Sequence, residues 1–318
     1  MIITDPMMYA YQNFEDIVYY DVVELLGLQL QPMFEFNIDE QLEEATLSAI
    51  KIYHTNISPR RSYDPTFVRR KPVITKMKVK LEYLKNVPQP DQRTDECYYF
   101  RHRYLTASSL WKAFGTQKTQ NQLIYSKCRP IDIEKYKVVN TESPMHWGQK
   151  YEDVSIEWYN KKYKTIVSEF GCIPHPNIHY LAASPDGINT DESSELYGRM
   201  VEVKNIVNRE ITGIPKFEYW IQMQLQMEVC NLNECDFLET RFIEYEDSKL
   251  FYQDGDFSKT RDGKPKGIIM MFNNDGNPLY EYMPYGISES EYDKWECSMI
   301  EKHSDITWVR NDYWYVDQ

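Results

Sequence analysis

Two stretches decide the fold: Ser184-Pro185-Asp186-Gly187 and Val201-Glu202-Val203-Lys204. Side chains alternate between the two faces of a strand, so Glu202 and Lys204 share one face while the two valines share the other. Proline and glycine beside Asp186 are typical of a turn, and the hydrophobic run before that turn has the composition of a strand. We therefore expect Asp186 at a strand end, facing the start of a neighbouring strand that carries Glu202 and Lys204.

Two carboxylates and one amine around a single point would suit a divalent cation and a phosphodiester. Carboxylate oxygens are ligands for hard cations such as Mg²⁺ or Mn²⁺, and the main-chain carbonyl of Val203 is a further candidate ligand. Such an ion lowers the pKa of a bound water, and a second ion about 3.5–4 Å away stabilises a leaving oxygen. A lysine in this position, Lys204, can orient the attacking water or stabilise developing negative charge.

Each half of this pattern also has a commoner structural explanation. Pro-Asp-Gly alone is usually only a turn. Glu-x-Lys on a strand is usually a solvent-facing ion pair. The two in order, on adjacent strands, are more specific than either one, so the flanking segments have to decide between the interpretations.

The segments before and after these stretches are predicted to be helices. In the first, residues 146–159, Glu152 can project toward the sheet, or it can simply favour the helix dipole from the first turns. In the second, residues 219–229, apolar side chains repeat at helical spacing beside a polar stripe that contains Gln222 and Gln226. A glutamine there can hydrogen-bond a water or a phosphate oxygen, or it can belong to an ordinary polar helix face.

The order of these motifs resembles the phage lambda-type exonucleases and the YqaJ-like viral recombinase nucleases of the PD-(D/E)XK superfamily. The matching motifs are Trp147-Gly148-x-x-Tyr151-Glu152, then Ser-Pro-Asp-Gly, then Glu-x-Lys, then a Gln-x-Gln helix. Upstream, the run from Arg101 to Ser108 is similar to a family segment that holds a DNA phosphate. Its Thr-Ala-Ser is also a plausible helix N-cap, and both roles are compatible because helix N-termini bind phosphate.

The resemblance covers about residues 95–245 and implies roles for individual positions. The implied metal ligands are Glu152, Asp186 and Glu202, and the implied catalytic lysine is Lys204. Gln222 would be the helix glutamine, and Gln224 is the neighbour most easily confused with it. Arg101 and Ser108 would contact a DNA phosphate. The resemblance also implies Mg²⁺ or Mn²⁺ as two ions, double-stranded DNA ends as substrate, and 5′→3′ exonuclease activity in viral or phage recombination or replication. A single-strand annealing protein and a homo-oligomer are the implied partners. The chain departs from the phage enzymes in its N-terminal extension of about 95 residues.

The residues alone indicate a nuclease without fixing how it cuts. A structure-specific endonuclease on the same core is one alternative to the exonuclease. A catalytically idle DNA-binding scaffold is another, although the complete set of acidic and lysine positions argues against it.

Composition limits the remaining possibilities. Nothing in the 318 residues has the length of a membrane span or the form of a signal peptide, so we expect a soluble intracellular protein, in the cytoplasm or at a viral replication site of the host cell. The six scattered cysteines are expected to be reduced thiols. The net charge of −13 opposes DNA binding, but basic residues at 60–61, 69–71 and 76–80 partly offset it.

The expected fold is an α/β restriction-endonuclease-like core, with a mixed central sheet flanked by helices. We place this nuclease domain at residues 91–318, including C-terminal strands and a helix, after a mostly helical extension at residues 1–90. Within the extension, the alternation from Lys76 to Leu81 predicts a strand, and the tail at residues 308–316 is predicted to be an edge strand. Asp275-Gly276 predicts a hairpin turn.

Overall fold

The computed structural model describes residues 19–20, 22–34, 36–56, 73–90, 94–133, 140–141 and 143–318. The chain divides into two compact units, Met1–Lys71 and Pro72–Gln318. The described part of the first unit is helical at 22–30, has a 3-10 turn at Gln31–Met33, and contains helix α1 (Asp39–Asn56). The basic pairs predicted at 60–61 and 69–71 lie outside the described residues.

The second unit alternates helices with short strands. Its helices are α2 (Ile74–Asn86), α3 (Asp95–Arg103), α4 (Ala107–Leu110) continued by a 3-10 turn (Trp111–Phe114), α5 (Gln117–Cys128), α6 (Pro144–Tyr163), α7 (Phe217–Cys230), α8 (Ser248–Gln253) and α9 (Glu289–Lys302). Its strands are β1 (Leu105–Thr106), β2 (Val167–Ser168), β3 (Ile173–Pro174), β4 (Leu181–Ala183), β5 (Gly187–Asn189), β6 (Met200–Asn205), β7 (Cys235–Thr240), β8 (Phe242–Glu244), β9 (Lys266–Asn274), β10 (Asn277–Tyr282) and β11 (Thr307–Val316).

The strands form three sheets, and two of them are mixed. In the central sheet, with order β2-β5-β6-β7, strand β6 runs antiparallel to β5 and parallel to β7. A smaller sheet has the order β1-β4-β3, with β4 parallel to β1 and antiparallel to β3. The third sheet, β10-β9-β11-β8, is antiparallel throughout. The predicted α/β class, with a mixed central sheet flanked by helices, is confirmed.

Strand β6 is covered on both faces. Val201 and Val203 pack with Tyr159 of α6, while Met200 belongs to a core that includes Leu225 of α7. The alternation predicted for this strand is therefore confirmed, but both of its faces are buried. Its charged side chains thus lie inside the protein, which makes their partners important.

Residues 73–90 pack against the core of the second unit, so the unit boundary falls earlier than the predicted domain boundary at residue 90. The strand predicted from Lys76 to Leu81 is wrong, because these residues belong to helix α2. Met77, Leu81 and Leu84 recur at helical spacing, and the two leucines are only 3% and 2% exposed. A short alternation of lysine and apolar residues is compatible with both the strand period and the helix period. The apolar repeat over a longer stretch favours the helix.

The C-terminal sheet contains one confirmed prediction and one wrong one. Strands β9 and β10 form the predicted hairpin, and Asp275 and Gly276 have the positive φ angles of 50° and 86° that a tight hairpin turn requires. The tail strand β11 is not at an edge, since it pairs with β9 on one side and β8 on the other. The six cysteines are all free. No helix among the described residues has the length and apolar character needed to cross a membrane.

Candidate functional site

Asp186 lies in the short connection between β4 and β5, as the turn residues predict. Its Oδ2 accepts a hydrogen bond of 2.7 Å from the main-chain N–H of Val203 on β6. The next residue, Gly187, has no room for a side chain, because an added Cβ would lie 2.1 Å from Cγ1 of Val167. The turn is therefore held in place, and its carboxylate faces the middle of β6.

Glu202 and Lys204 share one face of β6 and contact each other. Glu202 is fully buried, and its Oε1 accepts a hydrogen bond from Nζ of Lys204. The same ammonium donates to the carbonyl of Val203 at 3.0 Å. Burial lowers the pKa of Lys204, but the charges of Glu202 and Asp186 outweigh it, so the net pKa is raised. Lys204 is therefore a cation at neutral pH, which suits electrostatic stabilisation rather than proton abstraction.

Glu152 reaches the same region from helix α6. That helix is held to the end of β6 by Asn205, whose Nδ2 donates to the carbonyl of Gly148 at 2.7 Å and whose Oδ1 accepts from Ser155 Oγ at 2.7 Å. Glu152 lies between these two contacts in sequence, and it lines the same cavity as Asp186. The structure thus brings together the helix glutamate and the turn aspartate.

The electrostatics of the cluster favour an added cation. The pKa of Asp186 is raised well above its ordinary value, first by burial and then by the neighbouring charge of Glu202. Lys204 opposes this shift, while Glu152 adds to it. One ammonium therefore does not compensate for the three carboxylates, and a divalent ion would supply the missing positive charge.

The types of donor atom fit a hard divalent ion, but the carboxylates do not already surround a single position. The described residues contain no group of three or more His, Cys, Asp or Glu side chains already placed to hold a metal. Both oxygens of Glu202 accept hydrogen bonds, from Lys204 and Gln226, and one oxygen of Asp186 accepts from Val203. Carboxylates and a main-chain carbonyl are the ligands that Mg²⁺ and Mn²⁺ prefer. Coordination by Glu202 requires its carboxylate to exchange one of these contacts for the ion.

The helix glutamine that contacts the cluster is Gln226. Its Nε2 donates to Oε2 of Glu202 at 2.7 Å and to the carbonyl of Ser184 at 3.1 Å, and its side chain is fully buried. Gln222, the glutamine chosen from the sequence, lies one turn earlier on α7 and is half-buried. Both belong to the polar stripe predicted for this helix. Which of the two glutamines contacts Glu202 depends on where α7 packs along β6.

Arg101 and Ser108, the predicted phosphate contacts, lie within hydrogen-bond distance of each other. Nη2 of Arg101 donates to Ser108 Oγ at 3.4 Å, and Nη1 donates to Ser184 Oγ at 2.8 Å. Ser184 precedes the turn aspartate Asp186 by two residues, so the guanidinium lies next to the carboxylate cluster. The sequence placed Ser184 in the turn motif without giving its side chain a role.

Lys127 of α5 adds a second positive charge beside this arginine. Its Nζ donates to the carbonyl of Arg101 at 3.0 Å and to that of His102 at 3.4 Å. Burial lowers the pKa of Lys127, and the charges of Arg101 and Lys112 lower it further. No motif in the sequence predicted this contact. Several helices and turns separate Arg101 from α5, and only the tertiary fold brings the two together.

An α/β core with a turn aspartate, a Glu-x-Lys strand and a helix glutamate near one cavity is the arrangement that resemblance to the PD-(D/E)XK superfamily predicts. Residues 98–233 match the protein family described as the YqaJ-like viral recombinase domain, which confirms the resemblance seen in the motifs. All the candidate site residues named above lie within that matched segment.

One viral relative matches a larger part of the chain. "Uncharacterized protein R354" of Acanthamoeba polyphaga mimivirus is 27% identical over 300 residues, which is 84% of this chain and 52% of that protein. The chain therefore spans about half the length of this curated relative.

Solved structures of a bacterial enzyme also match. The alkaline exonuclease LHK-Exo of Laribacter hongkongensis is 27% identical, covering 46% of this chain and 74% of that one, with a TM-score of 0.37. A structure of LHK-Exo in complex with dAMP is 23% identical, covering 64% and 88%, also with a TM-score of 0.37.

Proposed function

We propose that this chain is a metal-dependent nuclease that hydrolyses DNA phosphodiester bonds. The observation that carries the proposal is the juxtaposition of Asp186, Glu202 and Lys204, with Glu152 at the same cavity. Buried carboxylates that repel one another are costly to keep unless they serve a bound cation. The match of the surrounding segment to the YqaJ-like viral recombinase domain supports the same conclusion.

In the proposed mechanism, Glu152, Asp186 and Glu202 would hold Mg²⁺ or Mn²⁺, as two ions, together with the carbonyl of Val203. A metal held by these residues would supply an activated water at neutral pH and polarise a phosphoryl oxygen. Lys204, held as a cation, orients the nucleophile and stabilises the negative charge that develops on the phosphate.

The two helix glutamines have separate roles in this proposal. Gln226 positions Glu202 through its 2.7 Å hydrogen bond. Gln222 supports the attacking water or a phosphate oxygen, as the sequence resemblance implies. Outer contacts of this kind commonly change metal affinity or activity 10- to 100-fold when they are removed.

We further propose that the enzyme is a 5′→3′ exonuclease acting on double-stranded ends. Arg101, Ser108 and Ser184 would hold a terminal phosphate beside the metal ligands and so set where cutting begins. The similar LHK-Exo is described as an alkaline exonuclease. Such an enzyme would serve viral or phage recombination or replication, at the replication site in the host cell. A single-strand annealing protein and further copies of the chain are its proposed partners.

One experiment separates the exonuclease from its two alternatives, the endonuclease and the idle scaffold. Purified protein is incubated with Mg²⁺ and either a 5′-phosphorylated linear duplex or a covalently closed circle of the same sequence. The exonuclease degrades the linear duplex and leaves the circle intact. Nicking of the circle would instead favour a structure-specific endonuclease. No cleavage of either DNA, at several Mg²⁺ and Mn²⁺ concentrations, would favour an idle DNA-binding scaffold.

A further inference from the structure

The segment before the matched family region reaches the candidate site. Helix α2 is fixed on the core by Leu81 and Leu84 and by Lys80, whose Nζ donates to the carbonyl of Asn231 at 2.7 Å. Its neighbour Lys78 forms an ion pair of 2.7 Å with Glu192. This helix therefore has a defined place in the second unit.

Gln89 fixes the chain that follows α2. Its Nε2 donates to the carbonyl of Leu84 at 2.6 Å, and its Oε1 accepts from the N–H of Gly171 at 2.6 Å. Gly171 allows this approach, since an added Cβ would lie 3.0 Å from Cβ of Gln89 and 3.1 Å from the carbonyl oxygen of Pro90. The end of α2 and residues 89–90 are thereby held against the core.

These residues line a cavity that also contains two of the proposed metal ligands. The cavity has a volume of about 740 Å³, and Lys85, Gln89 and Pro90 line it together with Glu152 and Asp186. A space of this size has room for a nucleotide unit and its phosphate. The extension before residue 98 thus contributes part of the wall of the site.

The charges of the cavity single out Lys85. Of the described residues that line it, Lys85 is the one cation, beside four carboxylates, those of Glu152, Asp153, Glu169 and Asp186. Unlike Lys78 and Lys80 on the same helix, the exposed Lys85 forms no hydrogen bond or ion pair with any residue that the structure describes. Its ammonium is therefore available to a ligand in the cavity.

We propose that Lys85 binds a backbone phosphate of the DNA held at this site. A polyanion that approaches four carboxylates needs compensating positive charge beyond the metal, and a lysine supplies it as a point charge without reading sequence. This inference rests on the proposed nuclease function and adds a substrate contact from outside the matched family segment. Lys85 also lies in the last turn of α2, where a cation favours the helix dipole, so the test must separate the two roles.

The test compares Lys85→Met with Lys249→Met, a substitution of an exposed lysine on helix α8 that does not line the cavity. Binding of a fluorescein-labelled duplex is measured by anisotropy at several salt concentrations, with Ca²⁺ in place of Mg²⁺. The logarithm of the association constant falls linearly with the logarithm of the salt concentration, and the loss of one phosphate contact makes this slope less negative by about 0.9. The same loss weakens binding at 0.1 M salt roughly 5- to 10-fold. We expect this change for Lys85→Met, its recovery in Lys85→Arg, and wild-type behaviour for Lys249→Met.

The outcomes distinguish this inference from the proposed function. An unchanged slope in Lys85→Met, with wild type binding and cleaving DNA, overturns the role of Lys85 alone. A change in thermal stability without a change in slope also overturns it, since that result assigns the lysine to the helix end. A wild-type protein that neither binds nor cleaves DNA overturns the nuclease proposal, and the phosphate contact falls with it.

Discussion

The contact between Gln226 and Glu202 provides the sharpest prediction from the structure. The substitution is Gln226→Met, which keeps the length of the side chain and its helix propensity but removes the amide. A hydrogen bond to a charged group contributes about 1.5–3 kcal/mol. Against this, Oε1 of Gln226 is buried with no partner among the described residues, so its removal returns about 1 kcal/mol.

The net loss of unfolding free energy is therefore roughly 0.5–2 kcal/mol. In a unit of this size, that corresponds to a fall in Tm of about 1–8 °C. The larger effect is expected on metal affinity, because Glu202 loses the contact that orients it. A loss of about 10- to 100-fold is typical when such an outer contact of a metal ligand is removed.

The assay is the dependence of Tm and of linear-duplex hydrolysis on Mg²⁺ concentration, with Gln222→Met as the matched control one turn away on α7. We expect Gln226→Met to need 10- to 100-fold more Mg²⁺. We expect Gln222→Met to keep the wild-type Mg²⁺ dependence, with any loss confined to kcat. A Mg²⁺ requirement that rises more in Gln222→Met than in Gln226→Met would refute the reasoning.

Two further predictions concern buried charge. Burial and neighbouring carboxylates raise the pKa of Asp186 above its value in the unfolded chain, so without metal its contribution to stability is lost as pH rises through the raised pKa. In EDTA, Asp186→Asn should therefore have a higher Tm than wild type at pH 8, with the difference narrowing toward pH 4; a lower Tm at pH 8 would contradict this. Lys150 is buried between Glu244 and Asp312, at 2.5 Å and 2.7 Å, so Lys150→Met leaves two carboxylates without this partner. Urea unfolding should show a loss of about 3–5 kcal/mol, and a loss below 1 kcal/mol would show that this network contributes little.

The central part of the candidate site could be predicted from the sequence because it depends on local geometry. Alternation along β6 fixes Glu202 and Lys204 on one face, and turn residues fix Asp186 at a strand end. The spacing of the motifs then requires the turn and the strand to be neighbours. Arg101 and Ser108 are also close in sequence, so their contact needs little tertiary information.

The parts that were missed depend on how elements pack. Gln222 and Gln226 are equivalent on the helix, and only the position of α7 along β6 selects Gln226. The strand predicted from Lys76 to Leu81 failed because six alternating residues fit a helix as well. The tail strand β11 was assigned to an edge because its pairing with β8 and β9 has no local signal.

The contribution of α2 to the site has the same origin. Lys85 is separated from Asp186 by about a hundred residues, and no motif links them. Its position follows from the burial of Leu81 and Leu84 and from the two hydrogen bonds of the Gln89 side chain. A family match that begins at residue 98 does not include such a contact.

Hydrolysis of a 5′-phosphorylated linear duplex by wild type, Asp186→Asn and Lys204→Met tests the central claim most directly. The account predicts that wild type degrades the duplex with Mg²⁺ or Mn²⁺ and stops in EDTA. Both variants should lose at least about 100-fold in rate, because one loses a metal ligand and the other loses the cation that stabilises the transition state. Equal rates for all three proteins, or a wild-type rate unaffected by EDTA, would contradict the assignment of this site.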